Sequence, residues 1–296
     1  MMVSNLKSLL SRSIKTRVTL FTLSIFVISL WALSFYATSV LRQDMQRLLG
    51  EQQFSTVSMM ADDIDQELSD RKAALEQFAS AIDARLMASS PNLQALLEQR
   101  PIFQSLFNGG LFVTNTSGTA IADVPLSNAR IGTNYIDRES ISVPLREGKT
   151  VIGRPAMGKK LGAPIFSIVA PIRNAEGSVI GALVGTVNLG LPSFLGKITK
   201  GQYGKSGSYL LNATQSRLIV TATDPSRIMQ PLPAPGVNPM LDRYLQGFEG
   251  YGVSVNARGV EELSAAKGVP VAGGSWAWWY PLAMPLPRLR PCSNAC

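Results

Sequence analysis

The stretch IFSIVAPIRNAEGSVIGALVGTVNL, residues 165–189, does most to decide how the chain folds. It holds two nearly continuous apolar runs, 165–172 and 179–189, on either side of the segment RNAEG at 173–177. Asparagine, glycine and charged side chains between two apolar runs are typical of a turn that joins paired strands. Because both runs are apolar along almost their whole length, we expect central strands covered on both faces, with helices supplying part of the cover.

A shorter hairpin lies upstream, where LFVTN at 111–115 and TAIADV at 119–124 flank a Thr-Ser-Gly turn. Its opening octet, GLFVTNTS at 110–117, aligns with GSYLLNAT at 207–214, and both octets lead into a turn and a second strand. Self-similarity of this kind indicates a repeated structural module. We therefore expect an α+β chain with two tandem modules, each built on an antiparallel sheet.

Upstream of the sheets, residues 42 to about 89 carry the spacing of one long amphipathic helix. Apolar side chains recur there every three or four positions, with a break at Arg71; they are Phe54, Val57, Ala61, Ile64, Leu68, Leu75, Phe78 and Ile82. Ser90-Pro91 interrupts this helix, and a shorter apolar segment, 93–107, follows. The helix either packs only on its own domain or also forms a seam with a second copy of the chain, and the pattern leaves both open.

Residues 18–41, VTLFTLSIFVISLWALSFYATSVL, form an uncharged and mostly apolar run. As a helix rising ~1.5 Å per residue, the run extends ~36 Å, enough to cross the ~30 Å hydrocarbon core of a bilayer. The preceding segment, 1–17, contains four basic residues and no acidic one, which places the N-terminus in the cytoplasm and everything after Leu41 outside it. A cleaved signal peptide is the alternative, with YATS at 36–39 as its cleavage site.

Composition excludes several classes of function. The net charge is +8, but the basic residues are spread along the chain and cluster only at 7–17 beside the apolar run, so we expect no nucleic-acid partner. Histidine is absent, which removes Ser-His and Cys-His nucleophile pairs and histidine metal ligands. Cys292 and Cys296 lie in the last five residues, so no disulfide framework spans the body of the protein. The acidic run at 62–70 favours a solvated helix face, and we expect neither a metal nor a cofactor.

Several segments, in their order and spacing, resemble the double Cache sensor domains of bacterial membrane receptors, which are tandem PAS-like modules. The resemblance covers roughly residues 42–273. Besides the apolar helix that runs into the long helix, the segments are GLFVTN at 110–115, YIDR at 135–138, GKTVIG at 148–153, PIRNAEG at 171–177 and GKSGSYLL at 204–211. The opening residues, 17–37, look most like those of membrane-bound diguanylate cyclases.

The resemblance implies a domain organisation for a single-pass protein of the bacterial inner membrane with a periplasmic sensor. A cytoplasmic segment and a transmembrane helix come first, at 1–17 and 18–41. The long signalling helix and a second helical segment follow at 42–108, then a membrane-distal, ligand-binding module at 109–195 and a membrane-proximal module at 196–273. In this family, a second membrane helix leads on to a cytoplasmic output domain such as a diguanylate cyclase or a kinase.

Residues 274–296 depart from the family pattern. Where the family has a Trp-led apolar strand, the sequence changes to GSWAWWYPL and then to proline, arginine and cysteine. The proline-rich segment 276–287 is too short to cross a bilayer. Reading 274–280 in another frame, with permitted codons, gives the apolar segment FVGVVV. We therefore expect an aberrant tail, from truncation or a frameshift, an incomplete membrane-proximal module and a missing output domain.

The YIDR segment contains the candidate binding residues Tyr135, Asp137 and Arg138. An aromatic ring, a carboxylate and a guanidinium can together clamp a small carboxylate or an amino acid. Asp137 then either takes a ligand ammonium or only orients Arg138; alternatively, the two charged residues cap a helix or pair with each other. Weaker candidates for the pocket lining are Ser142, Ser167 and Asn188, because strand alternation puts each on one face without showing which face is the pocket.

These observations predict the extracytoplasmic small-molecule sensor of a bacterial transmembrane signal-transduction receptor. No nucleophile and base stand together in the sequence, so we expect no enzyme activity; an output enzyme would lie in the missing C-terminal part. The alternative is a membrane-anchored envelope protein with a structural or enzymatic role. The expected partners are a small carboxylate or amino acid and the membrane, and homodimerisation through the long helix stays open.

Overall fold

A 67-residue helix, α1 (Ile14–Ser80), opens the computed structural model, which describes residues 14–199, 208–255, 261–272 and 276–283. The helix predicted at 18–41 and the helix predicted from residue 42 are therefore one continuous element. Within Val18–Ser80 lies an apolar window with a mean hydropathy of 2.1, none of it buried. Among the described residues, this helix alone is long and apolar enough to cross a membrane.

The chain divides into two units, Met1–Glu51 and Gln52–Cys296. In the second unit, the apolar positions of α1 pack into the chain's own core; the buried ones are Val57, Ala61, Ile64, Leu68, Leu75 and Phe78. The predicted spacing is thus confirmed, and the side chains that were candidates for a seam with a second copy are covered by the chain itself. Phe54 packs against the edge of this core.

Arg71 occupies the break in the apolar spacing of α1 and is nevertheless buried, with 7% of its surface exposed. Its guanidinium donates to the carbonyl oxygens of Glu67 at 2.9 Å and of Leu106 at 3.2 Å. The same group lies 3.9 Å from the centre of the Phe194 ring. Hydrogen bonds and a ring face allow a guanidinium to be buried at such a position.

Helix α1 ends at Ser80, nine residues before the predicted end near 89. A short helix, α2 (Ala84–Met87), starts afresh because the Asp83 carboxylate accepts a hydrogen bond from the Leu86 N–H at 2.9 Å. Two more helices follow, α3 (Ser90–Glu98) and α4 (Pro101–Leu106), each with proline in its first turn. Pro91 therefore begins a helix instead of interrupting one, since the first turn needs no N–H from that residue.

The first sheet has the strand order β2-β1-β6-β5-β3, with β4 also paired to β5, and its paired strands are antiparallel. Its strands are β1 (Leu111–Asn115), β2 (Ala120–Val124), β3 (Val151–Ile152), β4 (Ala156–Met157), β5 (Pro164–Arg173) and β6 (Val179–Asn188). The two long apolar runs are thus the central strands β5 and β6, as predicted, and the upstream hairpin is β1 and β2.

Different elements cover the two faces of the first sheet. On one face, α1, α3 and Phe107 pack against alternate residues such as Val113, Ile168 and Leu183. Phe107 lies so close to β6 that a Cβ at Gly185 would come within 2.5 Å of its ring, which explains the glycine. On the opposite face lies α5 (Glu139–Glu147), which leaves part of that face open.

The second sheet repeats this topology in the order β8-β7-β11-β10-β9. Its strands are β7 (Leu210–Ala213), β8 (Leu218–Ala222), β9 (Gly250–Val255), β10 (Glu261–Val269) and β11 (Trp276–Ala283). Like β1 and β2, the pair β7 and β8 contains a register shift, and each pair begins its module. The predicted repeat is therefore present in the fold. Helix α6 (Phe194–Thr199) precedes the sheet, and α7 (Pro239–Leu245) packs on it.

Strand β11 corrects the expectation that the second module lacks its last strand. Trp276–Ala283 lies between β10 and β7, so the second module extends past 273 to Ala283. It pairs with β10 along its whole length but with β7 only over residues 276–279. Pro281 falls outside the pairing with β7, where its missing N–H disrupts no ladder on that side. The rest of the tail, 284–296, lies outside the described residues.

Candidate functional site

A cleft opens on the face of the first sheet that carries α5. Its empty space is about 530 Å³, a volume that includes open solvent at its mouth. The loop after β2, the start of α5, the segment from Arg154 to Leu161 and strands β1, β5 and β6 form its walls. Its polar and charged lining residues are Arg130, Tyr135, Arg138, Ser140, Arg154, Lys159, Lys160, Ser167 and Thr186.

The lining of the cleft is strongly basic. Five of its residues carry a positive charge, and no acidic side chain is among the lining residues that the structure describes. Four of the five pair with an acidic residue outside the lining, and these acids number three: Asp123 pairs with Arg130, Glu139 with Arg154, and Asp137 with both Lys159 and Arg138. The site therefore keeps an excess of two positive charges, and such a cleft attracts anions.

Arg138 lies at the N-terminus of α5, as the residue that precedes its first turn. Its Nη2 donates to the carbonyl oxygen of Met157 at 3.0 Å, which ties it to β4, and a third of its side chain is exposed. Its Nε lies 4.0 Å from the Asp137 carboxylate, at the limit of an ion pair. Arg138 is thus held in position at the cleft while part of its guanidinium stays accessible.

Tyr135 forms an apolar wall of the cleft together with Phe112. The ring centres lie 5.0 Å apart, and Tyr135 is 7% exposed. Burial raises the pKa of Tyr135, because the phenolate would lose its water. The phenol therefore stays protonated at neutral pH and can donate a hydrogen bond.

Asp137 is bound to Lys159 across the cleft mouth. The ammonium of Lys159 donates to Asp137 at 2.5 Å and to the carbonyl oxygen of Asn134 at 2.9 Å, and it lies 5.4 Å from the centre of the Tyr135 ring. The hydrogen bond from Lys159 is the main reason that the pKa of Asp137 is lowered. Asp137 does not line the cleft itself; it lines the neighbouring groove.

Arg130 and Asp123 form a buried pair beneath the cleft. Arg130 Nη1 lies 3.3 Å from Asp123 Oδ1, and the Arg130 N–H donates to Asp123 Oδ2 at 2.9 Å. The guanidinium also donates to the carbonyl oxygen of Gly109 and lies 5.0 Å from the centre of the Phe112 ring. Burial raises the pKa of Asp123 and lowers the pKa of Arg130, and each charge opposes the shift in the other.

Ser167 and Thr186 are both among the lining residues, and they are cross-strand partners in the register of β5 and β6. Thr186 is 1% exposed, and its hydroxyl has no hydrogen-bond partner among the residues that the structure describes. An unpartnered buried hydroxyl costs free energy that a ligand can recover. These two hydroxyls are therefore the natural partners for a polar group that reaches the floor.

The structure thus brings Tyr135, Arg138 and Ser167 together and leaves the other sequence candidates outside the cleft. Ser142 lies on α5 and its hydroxyl bonds to the carbonyl oxygen of Glu139 at 3.5 Å. Asn188 ends β6, where its side chain accepts a hydrogen bond from the Gly190 N–H at 2.9 Å. Neither Ser142 nor Asn188 is among the residues that line this cleft, and both side chains form hydrogen bonds with the local backbone.

Sequence reasoning missed the basic residues Arg130, Arg154, Lys159 and Lys160. They lie in polar loops, where nothing in the local pattern distinguishes a residue that faces a cleft from one that faces solvent. One signal was present in Asp123, a carboxylate within the otherwise apolar strand β2, since a buried charge requires a partner. Among the described residues, no group of three or more acidic, cysteine or histidine side chains is arranged to hold a metal ion.

Comparison with known proteins places this fold in a family. The sequence model of the Cache domain matches residues 40–280, most of the chain. Among curated proteins, no match was found.

Solved structures of bacterial sensor domains share the fold. The ligand-binding domain of the Pseudomonas aeruginosa PAO1 amino acid chemoreceptor PctB, in complex with L-Arg, superposes with a TM-score of 0.63 at 22% identity, over 79% of this chain and 88% of that one. The sensor domain of the Vibrio cholerae histidine kinase DctB superposes with a TM-score of 0.59 at 16% identity, over 81% of this chain and 99% of that one. The ligand-binding domain of the P. aeruginosa PAO1 amino acid chemoreceptor PctC, in complex with GABA, superposes with a TM-score of 0.59 at 20% identity, over 81% of this chain and 100% of that one.

Proposed function

The chain belongs to the Cache domain family, and from that premise we propose that it is the extracytoplasmic sensor of a membrane receptor and binds a small anion in the cleft of its first module. The observation that carries the proposal is the charge of the lining, which has five basic side chains and no acidic one in the described part of the chain. A planar guanidinium binds a carboxylate through two parallel hydrogen bonds, so Arg138 is the expected anchor. Tyr135 supplies the apolar wall.

The ligand class that this charge supports best is a small dicarboxylate. The excess of two positive charges matches a dianion. PctB and PctC are described in complexes with L-Arg and GABA, which both carry an amino group. Here Asp137, the acid beside Arg138, is engaged by Lys159. The lining residues that the structure describes include no carboxylate for a ligand ammonium. On this proposal Asp137 pairs with Lys159 beside the cleft and does not contact the ligand.

A thermal-shift screen on the detergent-solubilised chain tests the proposal. The panel contains succinate, malate, acetate, inorganic phosphate, L-Arg and GABA, each at matched ionic strength. Dicarboxylates should raise the melting temperature most, because ligand that binds only the folded state stabilises it by mass action. If only the amino acids raise the melting temperature, the ligand class is amino acids and not dicarboxylates. If no compound of the panel raises it, the result counts against a sensor.

The remaining organisation follows the family. We propose that α1 crosses the bacterial inner membrane with residues 1–17 in the cytoplasm, that 109–195 is the membrane-distal module and that the module from 196 onwards is membrane-proximal. The basic, acid-free segment before the apolar run supports this orientation. An output domain, a diguanylate cyclase or a kinase, would then respond from the cytoplasm, and this chain itself would catalyse no reaction.

Homodimerisation through α1 would use side chains that the chain's own core leaves exposed. The buried apolar positions of α1 from Val57 to Phe78 pack into the chain's own core. A dimer through α1 would therefore use other positions of that helix, such as Met45, Leu48 and Met59, whose side chains are exposed. Size-exclusion chromatography with light scattering, with and without ligand, tests it.

A further inference from the structure

We propose that Arg154 couples the cleft to the second module, and that a bound anion draws this arginine away from the second module. The inference rests on the proposed function, because it requires an anionic ligand in the cleft. It adds Arg154 to the ligand-binding residues. It also gives Arg154 a second role, which is to transmit ligand binding in the first module to the second module.

Arg154 stands where the two modules meet. It lies between β3 and β4, and it lines both the ligand cleft and a neighbouring groove whose other walls include Gln215, Val271 and Ala272 of the second module. Its Nη2 donates to Gln215 Oε1 at 2.7 Å and lies 3.3 Å from Glu139 Oε2. One guanidinium thus joins the first residue of α5 to the turn between β7 and β8.

A wall residue of the same groove contacts α1. Val271 lines it, and the Val271 N–H donates to the Asp65 carboxylate of α1 at 2.7 Å. Through the walls of this groove, Arg154 and Val271 connect the cleft and the second module with α1. Helix α1 is the element that contains the apolar segment of the chain.

The contacts of Arg154 are weak enough for a ligand carboxylate to replace them. Its side chain is 48% exposed and that of Glu139 is 67% exposed, and exposed ion pairs of this kind are weak. Gln215 offers a neutral amide oxygen. A ligand carboxylate offers charge-assisted, bidentate hydrogen bonds, which are stronger than bonds to a neutral amide. An anion in the cleft therefore competes for Arg154, and the bond to Gln215 is the one that is lost.

Isothermal titration of succinate into the full chain measures this competition. Gln215→Ala removes the competitor on the second module, so succinate should bind about two- to fivefold more tightly than to the wild type, the range that weak exposed contacts allow. Gln230→Ala is the matched control, because that amide donates to Ser226 within the second module at 3.0 Å, and its affinity should equal that of the wild type.

Arg154→Ala completes a double-substitution cycle. It should weaken succinate binding, and Gln215→Ala should then have no further effect, because the competition needs the guanidinium. If succinate binds the wild type and Gln215→Ala leaves its affinity unchanged, the coupling is overturned while the proposed function stands. If succinate does not bind and no other member of the panel stabilises the wild type, the proposed function fails and the coupling fails with it.

Discussion

Asp123 Oδ1 lies 3.3 Å from Arg130 Nη1, and both side chains are almost completely buried. Removing one partner leaves the other charge buried without compensation, which typically costs about 3–5 kcal/mol. We expect Asp123→Ala to lower the free energy of unfolding by that amount in urea denaturation. Asp137→Ala is the control, because it breaks an exposed pair and should cost no more than about 1 kcal/mol. If Asp123→Ala lowers the free energy of unfolding no more than Asp137→Ala does, the pair of Asp123 and Arg130 is not needed for stability.

Arg138 should contribute directly to affinity. Arg138→Ala removes a charge-assisted contact that is worth about 1.5–3 kcal/mol, so the dissociation constant for succinate should rise about 10- to 150-fold. Arg138→Lys should recover little, because an ammonium cannot make two parallel bonds to one carboxylate. The control is Arg146→Ala in α5, the helix that Arg138 precedes; the Arg146 side chain is 70% exposed and pairs with Glu147. An affinity unchanged in a folded Arg138→Ala protein would remove Arg138 from the site.

A substitution at the floor of the cleft should raise the stability of the protein and lower its affinity for the ligand. Thr186→Val removes a buried hydroxyl that has no partner, so the unliganded protein should gain about 1 kcal/mol of stability. Succinate should nevertheless bind more weakly, because the floor loses a hydrogen-bonding group. Thr114→Val is the matched control: its hydroxyl is also buried without a partner, but Thr114 does not line the cleft. Loss of affinity in the Thr114 variant instead would place the ligand elsewhere on the sheet.

Much of the fold could be predicted from the sequence because periodicity is local. The runs at 165–172 and 179–189 are long and apolar enough to be central strands, and β5 and β6 match them closely. The site was harder to predict from the sequence, because Arg130, Arg154 and Lys159 come together only when several loops lie on one face of the folded sheet. Strand β11 was missed for a different reason. Its Trp- and Pro-containing sequence is a poor copy of the family strand, yet main-chain pairing with β10 depends little on which side chains are present.

The orientation of α1 is testable with topology reporters. An alkaline phosphatase domain fused after Gly50 should be active, because the basic segment 1–17 keeps the N-terminus in the cytoplasm. A β-galactosidase domain at the same site should be inactive. The reverse pattern would invert the topology. Phe26→Lys should cost about 2.5–3.5 kcal/mol of insertion free energy and reduce the membrane-bound fraction, whereas Phe26→Leu should leave it unchanged.

Asp137 decides between the two ligand classes, because its substitution changes their affinities in opposite directions. In the unliganded cleft its carboxylate holds Lys159. Asp137→Asn removes a negative charge beside the site and releases Lys159, so a dicarboxylate should bind more tightly, by about two- to fivefold for a contact this exposed. An amino acid whose ammonium bonded to Asp137 would instead lose affinity, since that substitution removes its counter-ion.

The control for this substitution is Glu147→Gln, which neutralises an acid that pairs with Arg146 outside the cleft and should leave both affinities unchanged. Titrations of succinate and GABA into the two variants and the wild type give the comparison. Tighter succinate binding in Asp137→Asn supports a dianion held by Arg138 with help from Lys159. Weaker binding of GABA, with succinate unaffected, would show that Asp137 contacts the ligand and that the cleft recognises an amine.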